Sequence, residues 1–207
     1  KNTIGTFTQP KAVLIDVATL STLPERQLNS GFAEIIKHGL IADKNYFHTV
    51  TAKHPHNFSN EELVDIISTS CEIKKNIVEK DVDEQSLRKI LNFGHTIGHA
   101  IESLSLETET PLLHGEAISI GMVAEAKISN LLGNLSENDL EKIKQSFINA
   151  NLPVRTSIDP KSIIEKSMYD KKNAFGEIRW TLLKQIGEAV YDIKGNEESG
   201  DTAVESQ

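Results

Sequence analysis

A mainly α-helical domain closed by a small C-terminal β-hairpin is the fold class this sequence predicts. Two observations carry that expectation. From Glu25 onward, apolar residues recur at the helical spacing in one segment after another. Near the end, "GEIRWTLLKQIGEAVYDI" changes to strand-like alternation and contains a Gly-Glu turn. A third feature points upstream: the short apolar run "VLIDV" at 13–17, with Pro10 before it and "ATLSTLP" after it, reads as a buried strand, the tail end of something with strands.

Taken in order, "ERQLNSGFAEIIKHGLIAD" is built of good helix formers. "NEELVDIISTSCEIKKNIVEKD" places Leu63, Ile66, Ile67 and Ile73 at helical spacings. "LRKILNFGHTIGHAIESL" and "GEAISIGMVAEAKISNLLG" predict two strongly apolar, central helices, and "SENDLEKIKQSFINAN" opens on a Ser136/Asp139 capping pattern. Residues 195–207 carry almost no apolar content and read as a disordered acidic tail. The expected division is thus 1–22 as the remnant of an upstream domain, 23–194 as the helical domain and 195–207 as the tail.

The chain has 207 residues and a net charge of -8. An acidic surface opposes general affinity for nucleic acid or an anionic membrane. Half of the excess lies in the tail, where Glu197, Glu198, Asp201 and Glu205 face no lysine or arginine. The single cysteine, Cys71, has no internal partner, which makes a reducing cytoplasm the default. Neither a membrane span nor a signal peptide is written in the sequence. The chain opens on Lys1 in mid-protein style, so an upstream domain is expected.

On a wheel of about 100° per residue, Glu84, Arg88, Asn92, His95 and His99 fall within roughly 80°, while Leu87, Ile90, Leu91, Phe93, Ile97 and Ile101 fill most of the rest. A surface helix has a wide polar arc; this one is narrow. Buried polar groups are costly unless paired, so the stripe predicts a wet cavity or a ligand. Gly94 and Gly98 cost about 1 kcal/mol each inside a helix and imply close approach by a neighbouring helix or a substrate. The H-x-x-x-H pair could reach one zinc ion, but Thr96 stands where a metalloprotease needs its glutamate. Glu34 and Lys37 share a face of an earlier helix, and His114 sits just before another, placed to point inward. His38, beside Gly39, is an alternative to these or a surface group; His48, His54 and His56 lie in a Pro-containing loop that predicts exposure.

"GFAEIIKHG", "LRKILNFGHTIGHAIE" and "LLHGEAISIGM", with "KNTIGTFTQP" at the start and "DKKNAFGEIRWTLLKQIG" near the end, resemble the C-terminal part of the 3-dehydroquinate synthase family from Lys1 to about Ile193. The resemblance implies a two-domain enzyme, α/β then α, of which this chain would hold the helical metal-binding domain. It implies metal ligands at Glu34, His95 and His114. His99 would be a proton-transferring histidine facing substrate, and Lys37, Lys74, Arg88, Asn92, Lys172 and Glu84 would be further active-site groups. Asn2 would touch substrate, and Lys1, Thr19, Leu20, Ser21 and Thr22 would touch NAD.

The cofactors so implied are NAD and one zinc or cobalt ion. The substrate would be a phosphorylated sugar acid, whose two anionic groups explain the lysines and arginine. The whole protein would be a cytoplasmic homodimer, and this chain alone is expected to bind zinc weakly and not to turn over. Other sugar-phosphate cyclases, metal-dependent polyol dehydrogenases and a non-catalytic metal-binding domain are the rival expectations. The anion-binding groups favour a cyclase.

Overall fold

The computed structural model describes residue 8, residues 10–171 and residues 178–194. Seven α-helices and one antiparallel hairpin are present among them. They are α1 (Glu25–Ala42), α2 (Lys44–Val50), α3 (Asn60–Lys80), α4 (His95–Ser105), α5 (His114–Leu131), α6 (Glu137–Asn149) and α7 (Pro160–Lys171), followed by β1 (Arg179–Gln185) and β2 (Glu188–Lys194). None of the helices is long and apolar enough to cross a membrane.

Local chemistry sets most boundaries. Ser59 and Glu62 form a reciprocal capping box at the start of α3, and Ser136 caps α6 by accepting from Asp139 N at 3.1 Å. Asp43 ends α1 and caps α2 through Tyr46 N. The hairpin turns at Ile186–Gly187, where Gly187 has a φ of 92°. The turn is tied to α1 by the bond from Gly187 N to Leu40 O.

The helix at the centre is α5. Ala117, Ile118, Ile120, Met122, Ala124 and Ala126 are buried on several sides of it, as expected of a helix apolar all round. One side packs into a core with α1, α2, α3 and α6. The other joins α4, α7 and the hairpin around the buried Trp180. The hairpin also supports the 87–92 segment, through Thr181 Oγ1 to Lys89 O and the Lys89–Asp192 ion pair at 2.7 Å.

Three expectations need correction. "VLIDV" is not a strand: Val13, Leu14 and Ile15 are 73%, 95% and 52% exposed, and only Val17 is buried, at the start of a 3₁₀ turn, Val17–Thr22. A strand needs a neighbour for its backbone groups, and no described segment lies alongside this one. "LRKILNFGHTIGHAIESL" is not one helix either. Leu87–Asn92 is a 3₁₀ turn, Gly94 adopts a left-handed φ of 79°, and α4 starts only at His95. Lastly, His48 is exposed on α2 rather than in a loop, and His54 is half-buried, its ring accepting from His56 N; His56 is exposed as expected. The expected tail lies outside the described residues.

Gly94 and Gly98 do mark a close approach. A Cβ on Gly98 would meet Ile118, and a Cβ on Gly121 of α5 would lie 2.6 Å from Gly98 N and nearer still to Gly94 O. The two backbones touch, so neither can retreat from an added methyl. Gly121→Ala is therefore expected to destabilise the chain by about 2 kcal/mol, with a fall of roughly 6 °C in the thermal unfolding midpoint followed by circular dichroism; an unchanged midpoint would show that the helices can separate.

Candidate metal and substrate site

Three helices each bring one metal-capable side chain to a common point. Glu34 comes from the middle of α1, while His95 and His114 are the first residues of α4 and α5. Glu34 Oε1 lies 3.5 Å from His95 Nε2 and 3.6 Å from His114 Nε2. That oxygen is buried and has no hydrogen-bond partner among the described residues. Its companion, Oε2, accepts from Lys37 Nζ at 2.6 Å.

Each imidazole has its other nitrogen engaged. His95 Nδ1 is 3.1 Å from Phe93 O, and His114 Nδ1 is 3.1 Å from Glu102 Oε2. The Nε2 atoms are thereby turned toward Glu34, with Glu102 in the position of a carboxylate that orients a ligating histidine. Ligand atoms about 2.1 Å from a tetrahedral ion lie about 3.4 Å apart, close to the two separations observed. The donor set fits a zinc-like cation. His99 adjoins it, its ring centroid 5.1 Å from that of His95 and 5.8 Å from that of His114.

The electrostatics suit the same role. Burial pushes the Glu34 carboxyl up, but His114, Lys37 and His95 outweigh it and hold the group well below the usual carboxylate range. Burial and the Lys37 charge push His95 down to about 4, so its imidazole is neutral near pH 7 and can donate a lone pair. The nearby Glu34 carboxylate, helped by Glu102 and against a smaller burial effect, raises His114. Burial lowers Lys37, partly offset by Glu34.

A cavity of about 420 Å³ opens from this cluster, lined by Glu34, Lys37, His38, Lys74, Glu84, Arg88, Leu91, Asn92, His95 and His114. Lys74 comes from α3; Glu84, Arg88 and Asn92 come from the segment between α3 and α4. Asn92 Nδ2 donates to Glu84 Oε1 at 3.0 Å, and Arg88 Nε stands 3.8 Å from Glu84 Oε2. Asp81 shapes the turn beneath them by accepting from the backbone N–H groups of Gln85, Ser86 and Arg88.

Four members of the expected polar stripe, Glu84, Arg88, Asn92 and His95, line the cavity, although the helix assumed for it is broken at Gly94; the fifth, His99, is exposed beside the imidazole cluster and is not among the lining residues. His38 is resolved too: it is buried, its Nδ1 lies 2.7 Å from Ser70 Oγ, and burial pushes it down to about 4. Thr19, Leu20, Ser21 and Thr22 form the 3₁₀ turn before α1 and are not part of the cavity wall. Lys1, Asn2 and Lys172 lie outside the described residues. Sequence reasoning missed Asp81, Glu102 and Glu125. The one signal for Glu125 was a lone carboxylate in the apolar run "GMVAEAKIS".

A carboxylate and clustered imidazoles in a cavity walled by two lysines and an arginine give one class of chemistry: donors suited to a divalent cation beside positive charges suited to an anionic small molecule. Comparison with known proteins narrows the class. The family model described as 3-dehydroquinate synthase C-terminal matches residues 31–173, and the one described as 3-dehydroquinate synthase N-terminal matches residues 1–30. The chain belongs to the 3-dehydroquinate synthase family.

It is 46% identical over 203 residues to a 3-dehydroquinate synthase of Thermodesulfovibrio yellowstonii, covering 95% of this chain and 56% of that protein. It is 41% identical over 211 residues to one of Desulforamulus reducens, covering 100% and 58%. The chain thus spans a little over half the length of these relatives. Among solved structures, 2-epi-5-epi-valiolone synthase from Streptomyces hygroscopicus subsp. jinggangensis, with NAD+ and Zn2+ bound, superposes with a TM-score of 0.87 at 24% identity, over 100% of this chain and 58% of that one. A 2-deoxy-scyllo-inosose synthase complexed with carbaglucose-6-phosphate, NAD+ and Co2+ gives 0.82 at 26% identity, over 99% and 59%.

If Glu34, His95 and His114 are the ion's ligands, Glu34→Ala and His95→Ala should each weaken zinc binding by at least about a hundredfold in competition with a chromophoric chelator, and Glu102→Ala by about tenfold. Lys74→Ala, on the cavity wall, should leave zinc affinity within about twofold. Equal losses in all four variants would mean that the chain unfolds rather than that the ligand set is selective.

Proposed function

We propose that this chain forms the metal- and substrate-binding part of a 3-dehydroquinate synthase, which converts 3-deoxy-D-arabino-heptulosonate 7-phosphate to 3-dehydroquinate and phosphate in the shikimate pathway. The observation that carries the proposal is one cavity holding Glu34, His95 and His114 together with Lys37, Lys74 and Arg88. A purely structural metal site has no use for the cations, and a simple anion site has no use for the imidazoles. Family membership supports the reading, as do the NAD+ and metal of the structural neighbours and the phosphorylated sugar analogue in one of them.

Glu34, His95 and His114 would hold zinc or cobalt, both of which accept such ligands. When bound, the ion supplies Lewis-acid polarisation of a substrate oxygen, and NAD takes and returns a hydride. The chain's own residues do the rest. Lys37, Lys74, Arg88 and Lys172 hold the carboxylate and phosphate of the substrate. Asn92, oriented by Glu84, hydrogen-bonds a substrate hydroxyl, and Asn2 gives a further contact. His99 takes the proton from the substrate C5 hydroxyl during oxidation and gives it back on reduction, a role suited to an imidazole. Lys1 and the Thr19, Leu20, Ser21 and Thr22 turn belong to the NAD side. The full-length protein is proposed to be a cytoplasmic homodimer.

A second reading concerns His99 alone. Ligand atoms of His95, His99 and His114 lie within 4.8 Å of one another, so His99 could replace Glu34 as third ligand. His99→Ala separates the two. As a proton carrier it should lower kcat about 10²- to 10⁴-fold in the full-length enzyme while zinc content stays near one per chain; loss of the zinc would make His99 a ligand.

The overall assignment is tested by phosphate release from the sugar-acid phosphate by full-length protein supplied with NAD and zinc. His95→Ala and Lys74→Ala should both be severely impaired, and full activity in both would contradict it. Preference for another heptulose or hexose phosphate would instead assign the chain to a sister cyclase.

A further inference from the structure

Glu125 lies on α5 and is fully buried, in an otherwise apolar stretch. Its carboxylate reaches across to the start of α4. Oε2 accepts from Gly94 N at 2.7 Å, and Oε1 accepts from Thr96 N at 3.1 Å and Ile97 N at 3.3 Å. The first N–H groups of a helix have no partner within it and form the positive end of its dipole. Usually a Ser, Thr, Asp or Asn at the cap position answers them, but here that position is Gly94, which has no side chain. The cap is supplied from the neighbouring helix instead.

The location of the grip is what matters. Gly94 and Thr96 flank His95, so one carboxylate fixes the backbone on both sides of that residue. The helix supplying it is the one that begins with His114. A buried carboxylate is costly unless it is well hydrogen-bonded, and an exposed cap would stabilise a helix end at less cost.

We propose that Glu125 is a positioning residue for the metal site, fixing the start of α4 so that His95 Nε2 faces Glu34 and His114. This inference rests on the metal assignment under Proposed function. It adds a residue that touches neither metal nor substrate and acts through the backbone of one ligand.

The test compares zinc affinity and the visible absorption bands of the cobalt-loaded chain for the parent, Glu125→Gln and Ile101→Val. The last is a control that thins the buried α4 core without touching the cap. Glu125→Gln keeps the shape but sets an NH₂ group against backbone donors. It should weaken zinc binding about tenfold or more and shift the cobalt bands, whereas Ile101→Val should lower the unfolding midpoint and change neither. A Glu125→Gln chain that binds zinc within twofold of the parent, with superimposable cobalt bands, would overturn the inference and leave the metal assignment standing. A parent that binds no zinc would bring down both. Should Glu125→Gln not fold, the parent's own amides decide: the Gly94 and Thr96 resonances should shift as zinc is added, and a titration that leaves them unmoved would overturn the inference.

Discussion

Everything at this site depends on how closely three helix backbones approach one another. At Gly115 a Cβ would collide with the Ser30 backbone, and Gly115 N donates to Ser30 Oγ at 3.0 Å, so α5 begins in contact with α1. Six residues later Gly121 rests on the Gly94 and Gly98 backbone, so α5 also clasps the start of α4. With both contacts made, His114 and His95 stand at the beginnings of their helices, facing Glu34 on the third. Larger residues at these points would push the helices apart and separate the donors before any ligand residue had changed.

The close packing also governs the charges. Glu34 is surrounded by two imidazoles and a buried lysine, which keep it ionised despite burial. His95 and His38, buried near the Lys37 charge, stay neutral. The cavity therefore offers lone pairs from Glu34, His95 and His114 beside the positive charges of Lys37, Lys74 and Arg88.

Much of the fold was legible because it is local. Ser136 announces a helix start by its own hydrogen bond, and the hairpin follows from alternation about Gly187. What failed was non-local. "VLIDV" has strand composition but no described neighbour, and the helical wheel could not foresee that contact with α5 would coincide with a left-handed Gly94. The polar stripe survived that break because the 3₁₀ turn still brings Arg88 and Asn92 to the wall that His95 joins. Glu34, His95 and His114 are far apart in sequence, and spacing alone would have paired His95 with His99; the family resemblance joined the distant residues. Glu102, Glu125 and Asp81 carry no such label, since each acts through a hydrogen bond that exists only once the chain has folded.

The central claim is that α1, α4 and α5 are packed to bring one carboxylate and two imidazoles onto a single ion. X-ray absorption at the zinc edge of the loaded chain tests it most directly. The account predicts scattering from two imidazole rings and one carboxylate oxygen, with bonds of about 2.0 to 2.2 Å, and loss of the carboxylate contribution in Glu34→Gln. A first shell of three imidazoles, unchanged in that variant, would contradict it.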